Sequence, residues 1–194
     1  MSSDGSNANA RIFVGVKVTA TADLDTVMAK LNGLGDSVRV VRREQLHVTL
    51  NFLGDTEESL IPVIVEGLKR ACAGIGAFDW TLHGIGAFPS SRRPSVVWAG
   101  AEDGRCFASL AEAVQKAVEP LGFTRESRAF HPHVTVARVK FRPPPELKKL
   151  IDTEAETVFG PQCAEEVILF RSELGRRGPV YTPLGIVKLS ETSE

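Results

Sequence analysis

The sequence predicts an α+β fold made of two similar halves, with antiparallel sheets lining a central groove and helices outside. Three observations predict this fold. Residues 46–50 (LHVTL) match residues 132–136 (PHVTV), at an offset of 86 residues from His47 to His133. The apolar patterns around the two copies align at the same offset and alternate between strand period and helix period. The 194 residues include 43% hydrophobic and 24% charged residues, which is ordinary for a globular chain with a real core.

Each half is expected to contain strand, helix, a strand bearing His-x-Thr, helix and strand. In the first half these elements are predicted at residues 13–16, 25–34, 46–50, 60–71 and 80–86. In the second half they are predicted at residues 97–100, 111–120, 132–136, 146–157 and 166–172, with a closing strand around 180–187.

Capping residues predict several of the helix ends. Prolines 143–145 favour the start of the last helix, because proline fits a first helical turn but not its interior. Asp55 and Thr56 are candidates to cap the helix that follows them in the first half, and Gly33 and Gly122 are expected to end the two earlier helices.

The chain is expected to be one bilobal domain over residues 11–190, behind a disordered tail of residues 1–10. The tail has neither a basic start nor an apolar stretch, so it does not resemble a secretion signal. No apolar run approaches the ~18 residues of a membrane span, so we expect no membrane partner. Three cysteines without a CxxC motif favour a reducing compartment, the cytoplasm. We expect a monomer.

The charge balance argues against a broad surface for duplex nucleic acid. Lys and Arg total 23, Asp and Glu total 24, and the net charge is −1. Arginines nevertheless occur in clusters, and arginine suits bidentate contact with phosphate, although most such residues are ordinary surface charge. The clusters are Arg42 with Arg43, Arg92 with Arg93, Arg125 with Arg128, and Arg176 with Arg177.

The two His-x-Thr segments are the candidate site. On a strand, residues i and i+2 point to one face, so His47 shares a face with Thr49, and His133 with Thr135. The residues between them are apolar and belong to the core, which leaves the polar faces to the groove. Pseudo-twofold symmetry then predicts that the two strands oppose each other across that groove.

Two imidazoles and two hydroxyls around one cavity suit a small anion such as phosphate. A histidine with a pKa near its free value of ~6.5 can hold or release a proton near neutrality. A neutral ring can therefore take a proton from water while a charged ring gives one to a leaving oxygen, each transfer contributing on the order of 10²–10⁴ in rate. The threonine hydroxyls can donate to phosphate oxygens. Such a scheme needs no metal or other cofactor.

The chain resembles the 2H phosphoesterases, and more closely their RNA 2',3'-cyclic phosphodiesterase branch, often labelled 2'-5' RNA ligase. The resemblance covers nearly the whole chain, from about residue 11 to 186, with five sequence blocks in family order. The blocks are residues 11–16, 46–54, 86–89 with 94–100, 130–138, and 178–181.

The resemblance implies a metal-independent hydrolysis of 2',3'-cyclic phosphates at RNA ends, or of cyclic nucleotides, to 2'-phosphates. It implies that His47 is the general acid for the departing 3'-oxygen and that His133 is the general base that activates water. Thr49 and Thr135 would hold the phosphate, and Arg138 would add positive charge to the pocket. The same chemistry run backward would join RNA ends through a 2'-5' bond.

Strict alternation disagrees with the resemblance at Arg138. This residue is five positions after His133, so alternation points it to the opposite face, and only a bulge or the end of the strand would turn it back. The same alternation places Asn51 on the groove face and Phe52 on the core face.

Two other functions remain open from the sequence. A binding module could hold a nucleotide or RNA end without turnover, although binding alone would tolerate Asn or Gln in place of the histidines. A zinc hydrolase could use His131, His133 and His47, since alternate residues on a strand share a face. Against zinc, no carboxylate or cysteine has recognisable ligand spacing nearby, and the first half has Gln45 where the second has His131. His83 also has no counterpart, and we expect it at the surface or at a strand edge.

Overall fold

The structure is a computed structural model that describes residues 8–103, 105–126, 129–175 and 178–190. Within these residues it contains nine strands and four α-helices. The strands are β1 (Asn9–Lys17), β2 (Val38–Val40), β3 (His47–Glu57), β4 (Phe78–Phe88), β5 (Val96–Glu102), β6 (His133–Val139), β7 (Val158–Ala164), β8 (Glu166–Gly175) and β9 (Gly178–Lys188). The helices are α1 (Ala22–Asn32), α2 (Ile61–Cys72), α3 (Cys106–Val118) and α4 (Pro145–Thr153).

Local sequence accounts for several of the helix ends. Thr21 Oγ1 accepts a hydrogen bond from the backbone N–H of Leu24 at 3.2 Å and so caps α1, which ends at Gly33. Pro145 begins α4, as the proline run predicts. The expected cap at residues 55–56 was wrong, because both residues lie in β3 and a short 3₁₀ turn at Glu58–Leu60 precedes α2 instead.

The strands form one continuous antiparallel sheet that reflects the internal repeat. The order is β7-β4-β5-β6-β3-β1-β8-β9, with β2 paired to the end of β6. The repeat relates β3 to β6, β1 to β5, and β4 to β8, and these pairs lie at equal distances from the centre of the order. The prediction of a duplicated α+β fold is therefore confirmed. The short strand β2 and the outer strand β7 were not predicted.

Each half of the sheet contains strands from both halves of the chain. Strand β4 belongs to the first half of the sequence but pairs with β5 and β7, while β8 pairs with β1 from the opposite end of the chain. Helices α2 and α3 pack on each other and against β9 and β3, whereas α1 contacts β6 and β7 and α4 contacts β4. The apolar faces beneath the helices form one large buried cluster, and the other face of the sheet is the groove.

Two sequence predictions concern the chain start and the loops. Strand β1 begins at Asn9, so the last two residues of the expected tail are in the sheet, and residues 1–7 lie outside the described part of the chain. The arginines Arg128, Arg176 and Arg177 also lie outside it. None of the helices in the described residues is long and apolar enough to cross a membrane.

Candidate active site

The site lies where the two halves of the sheet meet. Strands β3 and β6 are antiparallel neighbours, and their pairing is centred on Val48 and Val134, which are both fully buried on the helix side. The two His-x-Thr strands, which were predicted to oppose each other across a groove, are thus neighbouring strands of one sheet. The half-buried residues that flank this valine pair on the groove face are His47, Thr49, His133 and Thr135.

The antiparallel register sets how these four side chains face each other. With Val48 opposite Val134, His47 lies across from Thr135 and Thr49 lies across from His133. The two histidines are therefore diagonal neighbours, a relation in which side chains start about 7–8 Å apart. Two imidazoles that extend from such positions can contact opposite sides of one phosphate group.

Both imidazole rings are held by the same hydrogen bond. His47 Nδ1 lies 2.7 Å from the carbonyl oxygen of Gln45, and His133 Nδ1 lies 2.7 Å from the carbonyl oxygen of His131. A carbonyl oxygen can only accept, so each Nδ1 must carry the proton and donate. This bond orients the ring and leaves Nε2 as the nitrogen that can gain or lose a proton.

Aromatic side chains pack against each histidine. The ring of His47 lies 4.8 Å from Phe13 and 5.0 Å edge-on from Tyr181, and the ring of His133 lies 5.0 Å edge-on from Phe88. Trp98 is a further wall at 6.3 Å from His133. The sequence reasoning gave these aromatic residues no role.

Glycines make the close packing around the histidines feasible. A Cβ added to Gly15 would lie 2.7 Å from the carbonyl oxygen of Val48, so this carbonyl occupies the space that a side chain would fill, and Cδ2 of His47 lies beside it at 3.6 Å. A Cβ on Gly86 would clash with the indole ring of Trp98 at 2.1 Å. Glycine inside a strand often marks such a close approach, and this signal could have located the walls of the site.

Burial changes the protonation of both rings. Burial lowers the pKa of His47 below its usual value near 6.5; the bond to Gln45 opposes this shift, and the positive charges of Arg138 and His133 add to it. Burial also lowers the pKa of His133, opposed by the bond to the His131 carbonyl and assisted by the charge of His131. Without an anion in the groove, both rings therefore favour the neutral form at neutral pH.

Arg138 reaches the groove through a β-bulge. Thr135 pairs with Trp98 and Ala137 pairs with the adjacent residue of β5, so Val136 is an extra residue in β6. Val136 and Ala137 are both buried, and Arg138 is then exposed on the groove face. The bulge resolves the conflict between strict alternation and the family resemblance, and it brings Arg138 close enough to lower the pKa of His47.

The same bulge occurs at the equivalent position of β3, and it overturns two predictions made from alternation. Leu50 is the extra residue there, because Thr49 pairs with Gly15 while Asn51 pairs with Val14. Asn51 consequently faces α3 and donates to Gln115 Oε1 at 2.6 Å, so its predicted groove position was wrong.

Phe52 also lies on the opposite face from the predicted one. It is 70% exposed rather than buried in the core, and its ring lies 5.8 Å from that of Phe13 on the groove side. The strand stays continuous through the bulge, but the alternation restarts one residue later, which moves Phe52 from the core face to the groove.

The other two histidines, His83 and His131, lie beside the site. A cleft of about 380 Å³ next to His133 is also lined by His83 and His131. His83 Nε2 lies 4.0 Å from Glu156. Among the described residues, no group of three His, Cys, Asp or Glu side chains is arranged to hold a metal ion.

Comparison with known proteins finds relatives over most of this chain. A sequence model of the 2'-5' RNA ligase superfamily matches residues 22–160. Curated proteins named RNA 2',3'-cyclic phosphodiesterase from Aeropyrum pernix and Archaeoglobus fulgidus are 35% identical over 161 residues and 33% identical over 178 residues. These alignments cover 81% and 91% of this chain, and 90% and 98% of those proteins.

Solved structures show the same fold. TT0787 of Thermus thermophilus superposes with a TM-score of 0.81 at 31% identity, over 94% of this chain and 100% of that one. The structure of E. coli LigT complexed with 3'-AMP has a TM-score of 0.70 at 23% identity, over 94% of this chain and 99% of that one, and shows the fold alone. The family match, the identities and the duplicated His-x-Thr strands all agree with the resemblance read from the sequence. The chain therefore belongs to the 2'-5' RNA ligase superfamily.

Proposed function

We propose that this protein hydrolyses 2',3'-cyclic phosphates at RNA ends to 2'-phosphomonoesters by two-histidine general acid–base catalysis. The observation that carries the proposal is the arrangement of the histidines. Both rings bind a backbone carbonyl through Nδ1, both belong to adjacent strands, and both face one groove. The names of the curated relatives support the same substrate class.

In the proposed reaction, His133 Nε2 removes a proton from a water molecule whose oxygen attacks the phosphorus. The bond between phosphorus and the 3'-oxygen breaks, and His47 Nε2 donates its proton to that oxygen. The products are a 2'-phosphomonoester and a free 3'-hydroxyl. His47 ends neutral and His133 protonated, and exchange with solvent resets the pair.

The assignment of His47 as the acid fits the position of Arg138. The negative charge of a bound phosphate favours protonation of the nearby rings, which supplies the proton that the free site tends to lose. The charge of Arg138 keeps the pKa of His47 low, so the protonated ring gives its proton more readily to a poor leaving group. Thr49, Thr135 and Arg138 would bind the non-bridging oxygens and hold the phosphorus between the rings.

Ligation would use the same residues with an RNA 5'-hydroxyl in place of water. His133 would remove the proton of that hydroxyl, its oxygen would attack the phosphorus, and the bond to the 3'-oxygen would break as His47 protonates that oxygen, which leaves a 2'-5' bond and a free 3'-hydroxyl. We propose hydrolysis as the main reaction in dilute RNA, because water is far more abundant than RNA 5'-ends.

The sequence predicts that the protein acts in the cytoplasm, and this location stays a prediction.

The first experiment is product analysis with an RNA that ends in a 2',3'-cyclic phosphate, in the presence of a chelator. We expect full turnover to the 2'-phosphate, resolved from the 3'-phosphate by chromatography. Loss of activity in chelator that Zn²⁺ restores would favour the zinc hydrolase. Tight binding without product would favour the binding module.

A second experiment separates the roles of the histidines. His47→Ala and His133→Ala should each lower kcat by about 10²–10⁴ while circular dichroism stays unchanged, because the rings lie on the groove face outside the core. A substrate with sulfur in place of the 3'-oxygen needs no acid, since a thiolate leaves readily. It should restore turnover in His47→Ala but not in His133→Ala, and the reverse pattern would exchange the two roles.

A further inference from the structure

Two arginines lie side by side at the end of the groove. Arg39 of β2 is directly opposite Arg138 of β6, and both side chains are exposed. Like charges at directly opposite positions of a strand pair are destabilising. Among the described residues, neither guanidinium forms a salt bridge, whereas Arg43, Arg125 and Arg171 each do. An anion between Arg39 and Arg138 would relieve this repulsion.

A third arginine extends this surface toward His47. Arg42 Nη2 lies 3.5 Å from the carbonyl oxygen of Pro179, and Gln45 Nε2 donates to the same oxygen. Strand β9 continues from there to Tyr181, whose ring lies against His47. We call Arg39, Arg42 and Arg138 together the arginine track: Arg39 and Arg138 are opposite each other, and Arg42, three residues after Arg39, lies at β9 near Tyr181 and so on the side of His47.

The groove on the other side of the histidines is negative. Beyond His133, one cleft includes Glu102 and Glu156, and an adjoining cleft, which also contains Glu102, includes Asp79 and Asp103. In the described residues none of these four carboxylates forms a salt bridge with Lys or Arg. The two histidines thus lie at the boundary between an arginine track and an acidic side.

We propose that the single-stranded RNA leading into the cyclic phosphate lies over the arginine track, with its backbone phosphates between Arg39, Arg42 and Arg138, and avoids the acidic side. The inference rests on the proposed function, because it takes the cyclic phosphate to be bound between His47 and His133. It gives the enzyme a preference for RNA ends over cyclic mononucleotides.

The physical basis is that a nucleic acid phosphate repels a carboxylate and is attracted by a guanidinium. The next phosphate along an RNA chain lies within reach of a guanidinium adjacent to the one at the cyclic phosphate. For single strands, each neutralised phosphate contributes about 0.7 to the slope of log affinity against log salt concentration. A cyclic mononucleotide has no such backbone phosphate and should lack this contribution.

The test compares a 2',3'-cyclic mononucleotide with a hexanucleotide that ends in a 2',3'-cyclic phosphate, over a series of salt concentrations. In the Arg39→Gln/Arg42→Gln double variant, kcat/KM for the hexanucleotide should fall at least about tenfold more than for the mononucleotide, mainly through KM. The salt slope for the hexanucleotide should drop by about 1.4, or about 0.7 per arginine. Arg70→Gln, a matched control on the last turn of α2, should leave both substrates unaffected.

If kcat/KM falls equally for the two substrates in the arginine variant, or if the salt slope is unchanged, the proposal that RNA lies over the arginine track is wrong. A gain for the hexanucleotide in Glu102→Gln, without a loss in the arginine variant, would place the RNA on the acidic side instead. If the wild type turns over neither substrate, the proposed function fails separately. In that case the anisotropy of a 5'-labelled hexanucleotide with a 3'-phosphate still tests the track, which predicts weaker binding by the arginine variant.

Discussion

At the residue scale, the properties of His47 and His133 come from their fixed rings and their burial. The Nδ1 bonds to the Gln45 and His131 carbonyls fix each tautomer, and burial lowers the pKa of each ring. The residues i−2 provide these carbonyls in both halves, so the repeat reproduces a backbone interaction as well as a side chain. This explains why Gln45 and His131, which differ in side chain, can have the same role.

These pKa directions predict the pH dependence. In the proposed mechanism, kcat/KM requires one ring neutral and one protonated in the free enzyme, and burial lowers both pKa values below the usual value of about 6.5. The pH optimum of kcat/KM should therefore lie below about 6.5. Above that optimum kcat/KM should fall as pH rises, because the ring that must donate a proton loses it. A bell-shaped profile measured between about pH 4 and 9 would show this.

A control variant links the alkaline limb to His47. Arg138→Gln removes one positive charge that lowers the pKa of His47, so the limb that reports His47 should move to higher pH even though the rate falls. A kcat/KM that keeps rising well above neutral pH, or a limb that does not move in this variant, would contradict the assignment.

At the element scale, two equivalent β-bulges determine which side chains reach the groove. Leu50 in β3 and Val136 in β6 are both extra residues, one position after each His-x-Thr. After each bulge, the next two side chains lie on the opposite faces of the sheet from those that strict alternation predicts. Phe52 and Arg138 therefore face the groove, and Asn51 faces α3. The repeat thus includes the irregularities of its strands.

Gly15 is the element-scale test of how β1 supports His47. In Gly15→Ala, the new Cβ would meet the Val48 carbonyl at 2.7 Å, so β1 or β3 must shift, and β3 carries His47. We expect the free energy of unfolding to decrease by about 1–3 kcal/mol, as at other overpacked sites. We also expect kcat to decrease by a larger factor than KM changes. Gly76→Ala is the matched control, because its Cβ meets nothing within 4 Å. Equal denaturation midpoints and rates for the two variants would contradict the close packing.

At the scale of the whole molecule, the two halves of the chain are interleaved. Strand β4 from the first half of the chain lies between β5 and β7, while β8 from the end of the chain lies between β1 and β9. One buried apolar cluster includes residues from both halves, so neither half keeps its sheet partners when it is alone.

This interleaving predicts that the repeats cannot fold separately. If the chain is cut in the loop between Phe88 and Val96, each fragment should lack cooperative unfolding and dispersed NMR signals, because the cut separates β4 from β5 and β7 and separates β1 from β8. Mixing the fragments should restore both properties and the activity. A fragment that unfolds cooperatively by itself would show that a half is an independent unit.

The repeat, the two His-x-Thr strands and most helices could be predicted from the sequence, because apolar period, caps and motif spacing are local properties. The sequence could not predict the continuous sheet, the position of β4 and β8 in opposite halves of it, or the short pairing of β2 with β6 that places Arg39 opposite Arg138. These features depend on contacts between residues far apart in the chain. A bulge in β6 was one of two ways to bring Arg138 to the groove, but neither its position nor the bulge in β3 could be predicted, because Leu50 and Val136 fit ordinary alternation. An extra residue changes a strand's faces only through its pairing with a neighbour, and that pairing forms in the folded sheet.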